Sequence, residues 1–139
     1  MKEHFLESRG IYYRTNDWES GRNTLVFVHG LVGSSAAWKP FEEYFKDSCN
    51  VLTYDLRGHG KSLKPTAYDA YAIREHVTDL EELIRTLGVN KFTLISHSFG
   101  TLIALEYIAI HADTLEHIVF LSPSFSLNKI RKTRMVRPI

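Results

Sequence analysis

A chain of 139 residues with 44% hydrophobic and 24% charged residues has the size and composition of one globular domain, which excludes a disordered chain. No run of about 18 apolar residues is present to span a bilayer, and Met1-Lys2-Glu3-His4-Phe5-Leu6-Glu7 lacks the apolar core of a secretory signal, so a soluble cytoplasmic protein with no membrane partner is expected. The net charge of +1 hides a basic tail, Lys129, Arg131, Lys132, Arg134 and Arg137, which leaves twelve basic against sixteen acidic residues, −4, in residues 1–128. With no interleaved aromatics and no basic fold around it, that tail reads as a solvated connecting segment, and no nucleic-acid partner is expected. Cys49 stands alone, so no disulfide can close within the chain, and its place before Val51-Leu52-Thr53-Tyr54 suggests a small buried hydrophobe.

Strand-like runs alternate with helical patterns, which predicts an α/β domain on a mainly parallel sheet. His4–Glu7 and Ile11–Thr15 read as a hairpin, followed by the turn-rich segment Asn16–Gly21. Thr24-Leu25-Val26-Phe27-Val28 is nearly all apolar, as a strand covered on both faces should be, and Val51–Tyr54, Phe92–Ile95 and His117–Leu121 are of the same kind. Between them, Ser34 or Ser35 caps a helix carrying Trp38, Phe41 and Phe45. A second helix runs from about Tyr71 to Leu87 on the spacing of Ile73, Val77, Leu80, Ile84 and Leu87, with Gly88 as its cap. A third follows Ser98, and its apolar residues Leu102, Ile103, Leu105 and Ile108 imply burial at the middle of the domain.

Ligands of open parallel sheets bind beyond the carboxyl ends of the strands, and three of these strands end in unusual loops. After Ile95 comes Ser96-His97-Ser98-Phe99-Gly100, a strand running through a serine between small residues into a helix. A tight bend there pushes the central side chain outward and aims the helix's first N–H groups at the same point, which suits Ser98 as a nucleophile. Capping of a buried helix by Ser98 is the plainer alternative. His29-Gly30-Leu31 reads as the partner loop, with Gly30 turning the chain so that the Leu31 N–H faces the site. Gly60-Lys61-Ser62 mimics the end of a phosphate loop, but Asp55 stands where that pattern needs glycine and Pro65 interrupts the helix that should follow. Asp55 and Arg57 are better placed to brace a turn near the pocket rim.

"HGLVGSSAAW", "YDLRGHGKS" and "SHSFG", in this order, resemble the α/β-hydrolase fold superfamily of the small-molecule serine hydrolase type, over essentially all of the chain. The resemblance implies a doubly wound, mainly parallel sheet with helices on both faces, with residues 1–128 as a partial core and residues 129–139 at the opening of a helical lid. It implies Ser98 as nucleophile, the backbone N–H groups of Leu31 and Phe99 as oxyanion hole, and supporting turns at His29, Gly30, Asp55, Arg57, Ser96 and Gly100. Ser96 stands where the family has glycine, and serine is small enough for the bend. The substrate implied is a small acyl compound, an ester, thioester, lactone or amide, with no cofactor and no metal.

The family order is nucleophile, acid, histidine. After Ser98 the chain offers Glu106, Asp113 and Glu116, with His111 and His117, and all belong to the helix or to the far end of the sheet. His97 lies inside the bend itself, and Ser122-Pro123-Ser124-Phe125-Ser126 holds no carboxylate. The chain therefore reads as the front part of a hydrolase whose C-terminal strands and lid are missing. A pocket that binds without turnover and an inactive remnant are the alternatives. An uncovered His117–Leu121 edge would favour self-association or pairing with a complementing chain.

Overall fold

The β-branched and aromatic runs become strands, and the runs with three- and four-residue spacing become helices, in a computed structural model that describes residues 1–125. The expected basic tail lies outside the described residues. Six strands, β1 (Lys2–Leu6), β2 (Ile11–Thr15), β3 (Thr24–Val28), β4 (Asn50–Tyr54), β5 (Phe92–His97) and β6 (Leu115–Leu121), form one sheet in the order β1-β2-β4-β3-β5-β6. The β1–β2 and β2–β4 pairings are antiparallel; β4–β3, β3–β5 and β5–β6 are parallel. Helices α1 (Lys39–Phe45), α2 (Ile73–Thr86) and α3 (Gly100–His111) connect the parallel strands.

Strand side chains alternate between faces, so each parallel strand feeds two cores. Val26, Val28, Leu52, Tyr54 and Leu94 pack with Val77, Leu80, Leu83 and Ile84 of α2 and Ile103, Ala104 and Tyr107 of α3. Phe27, Val51 and Ile95 point the other way, against Trp38 and the half-buried Phe45 at the end of α1. Each fully buried Leu, Val or Phe contributes roughly 1.5–3 kcal/mol. The two layers put helices on both faces, as the resemblance implies.

The structure departs from several of these expectations. The hairpin forms two residues earlier than predicted at its start. Ser34 caps a single 3₁₀ turn, Ser35–Trp38, with its Oγ accepting the Ala36 N–H, before α1 begins. Helix α2 begins at Ile73 because Ala72 is extended at ψ 145°, and Tyr68–Tyr71 is a separate 3₁₀ turn. Gly88, at φ +64°, closes α2 as expected. Helix α3 is not central: Leu105 and Ile110 are exposed, since α3 is flanked by α2 on one side and has no neighbouring helix on the other among the described residues. β6, grouped with the inner strands by its apolar run, is an edge among the described residues, with Ile118 and Val119 both 40% exposed. Cys49, just after α1, is only partly buried. No helix among the described residues is long and apolar enough to cross a membrane.

Candidate active site

Three loops leave the carboxyl ends of β3, β4 and β5, which lie side by side in parallel, and so they meet at one end of the sheet. The loop after β5 is a two-residue bend: β5 ends at His97, and α3 begins at Gly100. Ser98 sits in it at φ +49°, left-handed backbone that costs a non-glycine residue on the order of 1–3 kcal/mol. The surroundings hold it there. The Ser98 N–H donates to the Leu121 carbonyl at the end of β6 (3.0 Å), while the Ser98 and Phe99 carbonyls accept from Thr101 and Leu102 in the first turn of α3.

The small residues either side have a direct steric reason. A Cβ on Gly100 would lie 2.7 Å from the Val28 carbonyl oxygen and 2.8 Å from that of His29, so only glycine lets α3 start against the end of β3. Ser96 is fully buried. A Cβ on Gly30 would lie 3.3 Å from the Ser98 Cβ and 3.0 Å from His97 Nδ1, which shows how closely the β3 loop approaches the bend.

His29 anchors that β3 loop from within. Its Nδ1–H donates to the Gly30 carbonyl (2.8 Å) and its Nε2 accepts the Leu56 N–H (2.9 Å), a pattern that needs the neutral ring. Burial pushes the His29 pKa down to about 4, which agrees. The Gly30 carbonyl also accepts the Gly33 N–H, closing a turn. Because a peptide is planar and trans, pinning the Gly30 carbonyl on one side turns the Leu31 N–H to the other. Among the described residues neither the Leu31 nor the Phe99 N–H meets a protein acceptor.

The β4 loop braces both. Asp55 accepts the Ser35 N–H (2.7 Å) and the Lys61 N–H (2.8 Å), linking the start of the 3₁₀ turn to its own loop. A Cβ on Gly60 would fall 2.0 Å from the Asp55 carboxylate. Ser62 Oγ donates to the Asp55 carbonyl and accepts the Tyr12 N–H, so the serine of the phosphate-loop mimic belongs to the turn. Arg57 points away from the pocket into α2, where it meets Asp79 through two bonds of 2.7 Å. Arg9 joins the same carboxylate, and its own pKa is raised by Glu75 and Asp79 against the effect of burial.

The β3 and β5 loops, with the helical segment that follows β3 and the end of β6, line an open pocket of about 520 Å³ that includes Ser98, Gly30, Leu31, Trp38, Phe41 and Leu121, while the β4 loop stays behind it. The Phe99 side chain is absent from that lining: its ring packs edge-on against His76 of α2 (5.7 Å) in the α2–α3 core. Burial pushes the His76 pKa down to about 4 as well. No carboxylate lines the pocket among the described residues, and of its two histidines His29 has both nitrogens engaged. His111 pairs with Glu81 on α2, away from Ser98, as its position in the sequence predicts. Trp38, Phe41 and Leu121 lacked a functional signal in the sequence, because their spacing marks only core.

Ser98 thus stands at a helix N-terminus opposite an unengaged backbone N–H, an arrangement that can present a hydroxyl and receive a negative oxygen in one small space. Among proteins of known family, the chain is 32% identical over 126 residues to "Probable lysophospholipase BODYGUARD 4" of Arabidopsis thaliana, covering 83% of this chain and 30% of the relative. It is 28% identical over 118 residues to "Epoxide hydrolase 3" of Xenopus tropicalis, covering 84% of this chain and 32% of the relative. The solved structure of Est816, described as an N-acyl homoserine lactone degrading enzyme, superposes with a TM-score of 0.77 at 25% identity over 88% of this chain and 45% of that one. The chain therefore spans less than half the length of these relatives. A sequence profile described as the alpha/beta hydrolase fold matches residues 23–137, from the start of β3 through the bend and beyond, and the chain belongs to that family.

Proposed function

We propose that Ser98 is the nucleophile of a hydrolase that acts on a small ester, thioester, lactone or amide through an acyl-enzyme. The observation that carries this reading is Ser98 itself, held at φ +49° on a strand-to-helix bend with its side chain in the pocket beside Gly30 and Leu31. Ser98 Oγ attacks the substrate carbonyl carbon, and a base takes the hydroxyl proton. The carbonyl's electron pair moves onto its oxygen, where the N–H groups of Leu31 and Phe99 receive it. The intermediate then collapses, the leaving group departs with a proton, and water repeats the sequence to free the acid. Each oxyanion donor is worth about 10²–10³ in rate. Among the described residues no carboxylate lines the pocket to orient such a base.

The apolar lining by Leu31, Val32, Trp38, Phe41 and Leu121 favours an uncharged acyl group. Names among the relatives cover a lysophospholipase, an epoxide hydrolase and a lactone-degrading enzyme. A serine at the bend favours carbonyl substrates, because acyl transfer proceeds through a serine ester that water can cleave.

The test is labelling of the intact natural protein by a fluorophosphonate, in which the Oγ–phosphorus bond forms, the phosphorus–fluorine bond breaks, and fluoride and a proton leave. Labelling that disappears in Ser98→Ala supports the reading; an unlabelled wild type overturns it. The absence of a carboxylate from the described pocket favours a second reading, binding without turnover. Stabilisation by a small acyl compound with no product formed would select it.

A further inference from the structure

The β3 loop carries its proposed oxyanion donor on a poorly buried stretch, with Leu31 53% and Val32 99% exposed. Apolar packing cannot hold such a segment to the few tenths of an ångström that a preorganised donor needs. Hydrogen bonds must, and two successive carbonyls are where they act. The Gly30 carbonyl is pinned by His29 and by the Gly33 N–H. The Leu31 carbonyl belongs to the next peptide, and among the described residues one group reaches it: Nε2 of His59, from the β4 loop. No other function of the site uses that side chain.

His59 is itself well fixed. It stands between Gly58 (φ +82°) and Gly60 (φ +48°), two left-handed positions that turn its ring back over the β3 loop. The ring packs edge-on against His29 (5.3 Å, 69°). The Asp55 carboxylate, bonded to the N–H of Lys61, holds the far side of the same turn.

We propose that His59 is a positioning residue for the oxyanion loop: its Nε2–H donates to the Leu31 carbonyl and, through the 31–32 peptide, keeps the Leu31 N–H facing Ser98. The β4 turn thereby acts on a reaction it never touches. This rests on the acyl-transfer reading, since the Leu31 N–H matters to rate only if an oxyanion forms there. His29 fixes one side of Leu31 and His59 the other. Without the second, the backbone torsions of Leu31 and Val32 are free to carry the donor out of line.

The test compares two variants of the intact protein by the rate of Ser98 labelling with a fluorophosphonate and by thermal melting. His59→Phe keeps an aromatic ring against His29 and removes the donor. His59→Gln returns an N–H at about the place of Nε2. The expected result is labelling slowed about 10-fold in His59→Phe, less than the 10²–10³ for outright loss of a donor, with most of that loss recovered in His59→Gln at matched melting temperatures. Equal slowing in both variants, or none in either, overturns the proposal. Should His59→Phe fail to fold, His59→Asn, whose amide is too short to reach from the Nε2 position, takes its place.

A second readout separates this proposal from the reading beneath it. The ¹³C resonance of the Leu31 carbonyl should move in the non-donating variant and return in His59→Gln, whether or not Ser98 reacts. An unlabelled wild type removes the acyl-transfer reading, and the carbonyl resonance then decides the contact alone: no movement in any variant overturns it.

Discussion

Gly100→Ala should destabilise the protein, against the usual effect of that substitution in a helix. Replacing glycine by alanine in a helix interior ordinarily gains up to about 1 kcal/mol. Here the new Cβ would stand 2.7 Å and 2.8 Å from the carbonyl oxygens of Val28 and His29, and 3.0 Å from Val28 Cγ1. The oxygens belong to backbone at the end of β3, which is paired on both sides by β4 and β5, so they cannot swing aside as a flexible side chain could. The start of α3 must move instead. Overpacking of this kind costs about 1–3 kcal/mol, and with unyielding backbone oxygens as the obstacle the upper part of that range applies, so the net loss should be about 1–2 kcal/mol after a helix gain of about 1 kcal/mol. For a chain of 139 residues this lowers the melting temperature by roughly 5 °C. The same displacement carries Ser98 away from the Leu31 N–H, and a shift near 1 Å can cost about 100-fold in rate. Circular dichroism melting and the rate of fluorophosphonate labelling measure the two effects. A melting temperature equal to or above that of the wild type would refute the steric account of the bend.

Asp79→Asn should cost about 3 kcal/mol in urea unfolding, because the buried Arg57 guanidinium loses the carboxylate that receives its two bonds of 2.7 Å. A change below about 1 kcal/mol would show that Glu75, 3.4 Å from Arg57, takes over. Stability should also fall between about pH 6.5 and pH 4. His29 and His76 have folded pKa values pushed down to about 4 from 6.5, so in this window the unfolded chain binds more protons than the folded one. Their contribution is complete above pH 6.5, is lost as the pH falls toward 4, and amounts to roughly 3 kcal/mol each at about 1.4 kcal/mol per pKa unit. Urea melts at pH 7 and pH 4.5 measure it, and His76→Phe should flatten the slope by about half; an unchanged slope would refute the assignment.

Much of this was legible in the sequence because it is local. The nearly all-apolar run at Thr24–Val28 forms a strand facing a core on each side, and the two-residue bend at Ser98 follows from a strand, two flanking small residues and an apolar helix in close succession. Gly100 could be read as small, though not that the carbonyls of β3 are what it spares. What escaped are contacts between distant segments. Asp79 reads as one polar position of α2, yet it gathers Arg9 and Arg57 from 70 and 22 residues away. Glu42 likewise looks like a solvent-facing residue of α1, but it is buried and bonds Thr53 while pairing with Arg14. The periodicity of α2 gave Val77, Leu80 and Ile84 correctly but could not separate the buried His76 from a solvated histidine. His59 carried no signal of its own beyond its place between two glycines in the YDLRGHGKS turn.

The bond from the Ser98 amide to the Leu121 carbonyl gives β6 a role beyond filling the sheet. The strand is a hinge pin: it is laced to β5 along its length and holds Ser98 at its tip, while its outer edge meets no strand among the described residues. An edge strand frays before an inner one. Each opening of the last turns of β6 would release the amide that keeps Ser98 left-handed, so the backbone of the serine should relax on the timescale of sheet-edge fraying. A strand laid along β6 would therefore steady the backbone of Ser98 without entering the pocket, as a brace on a door frame changes how the door hangs.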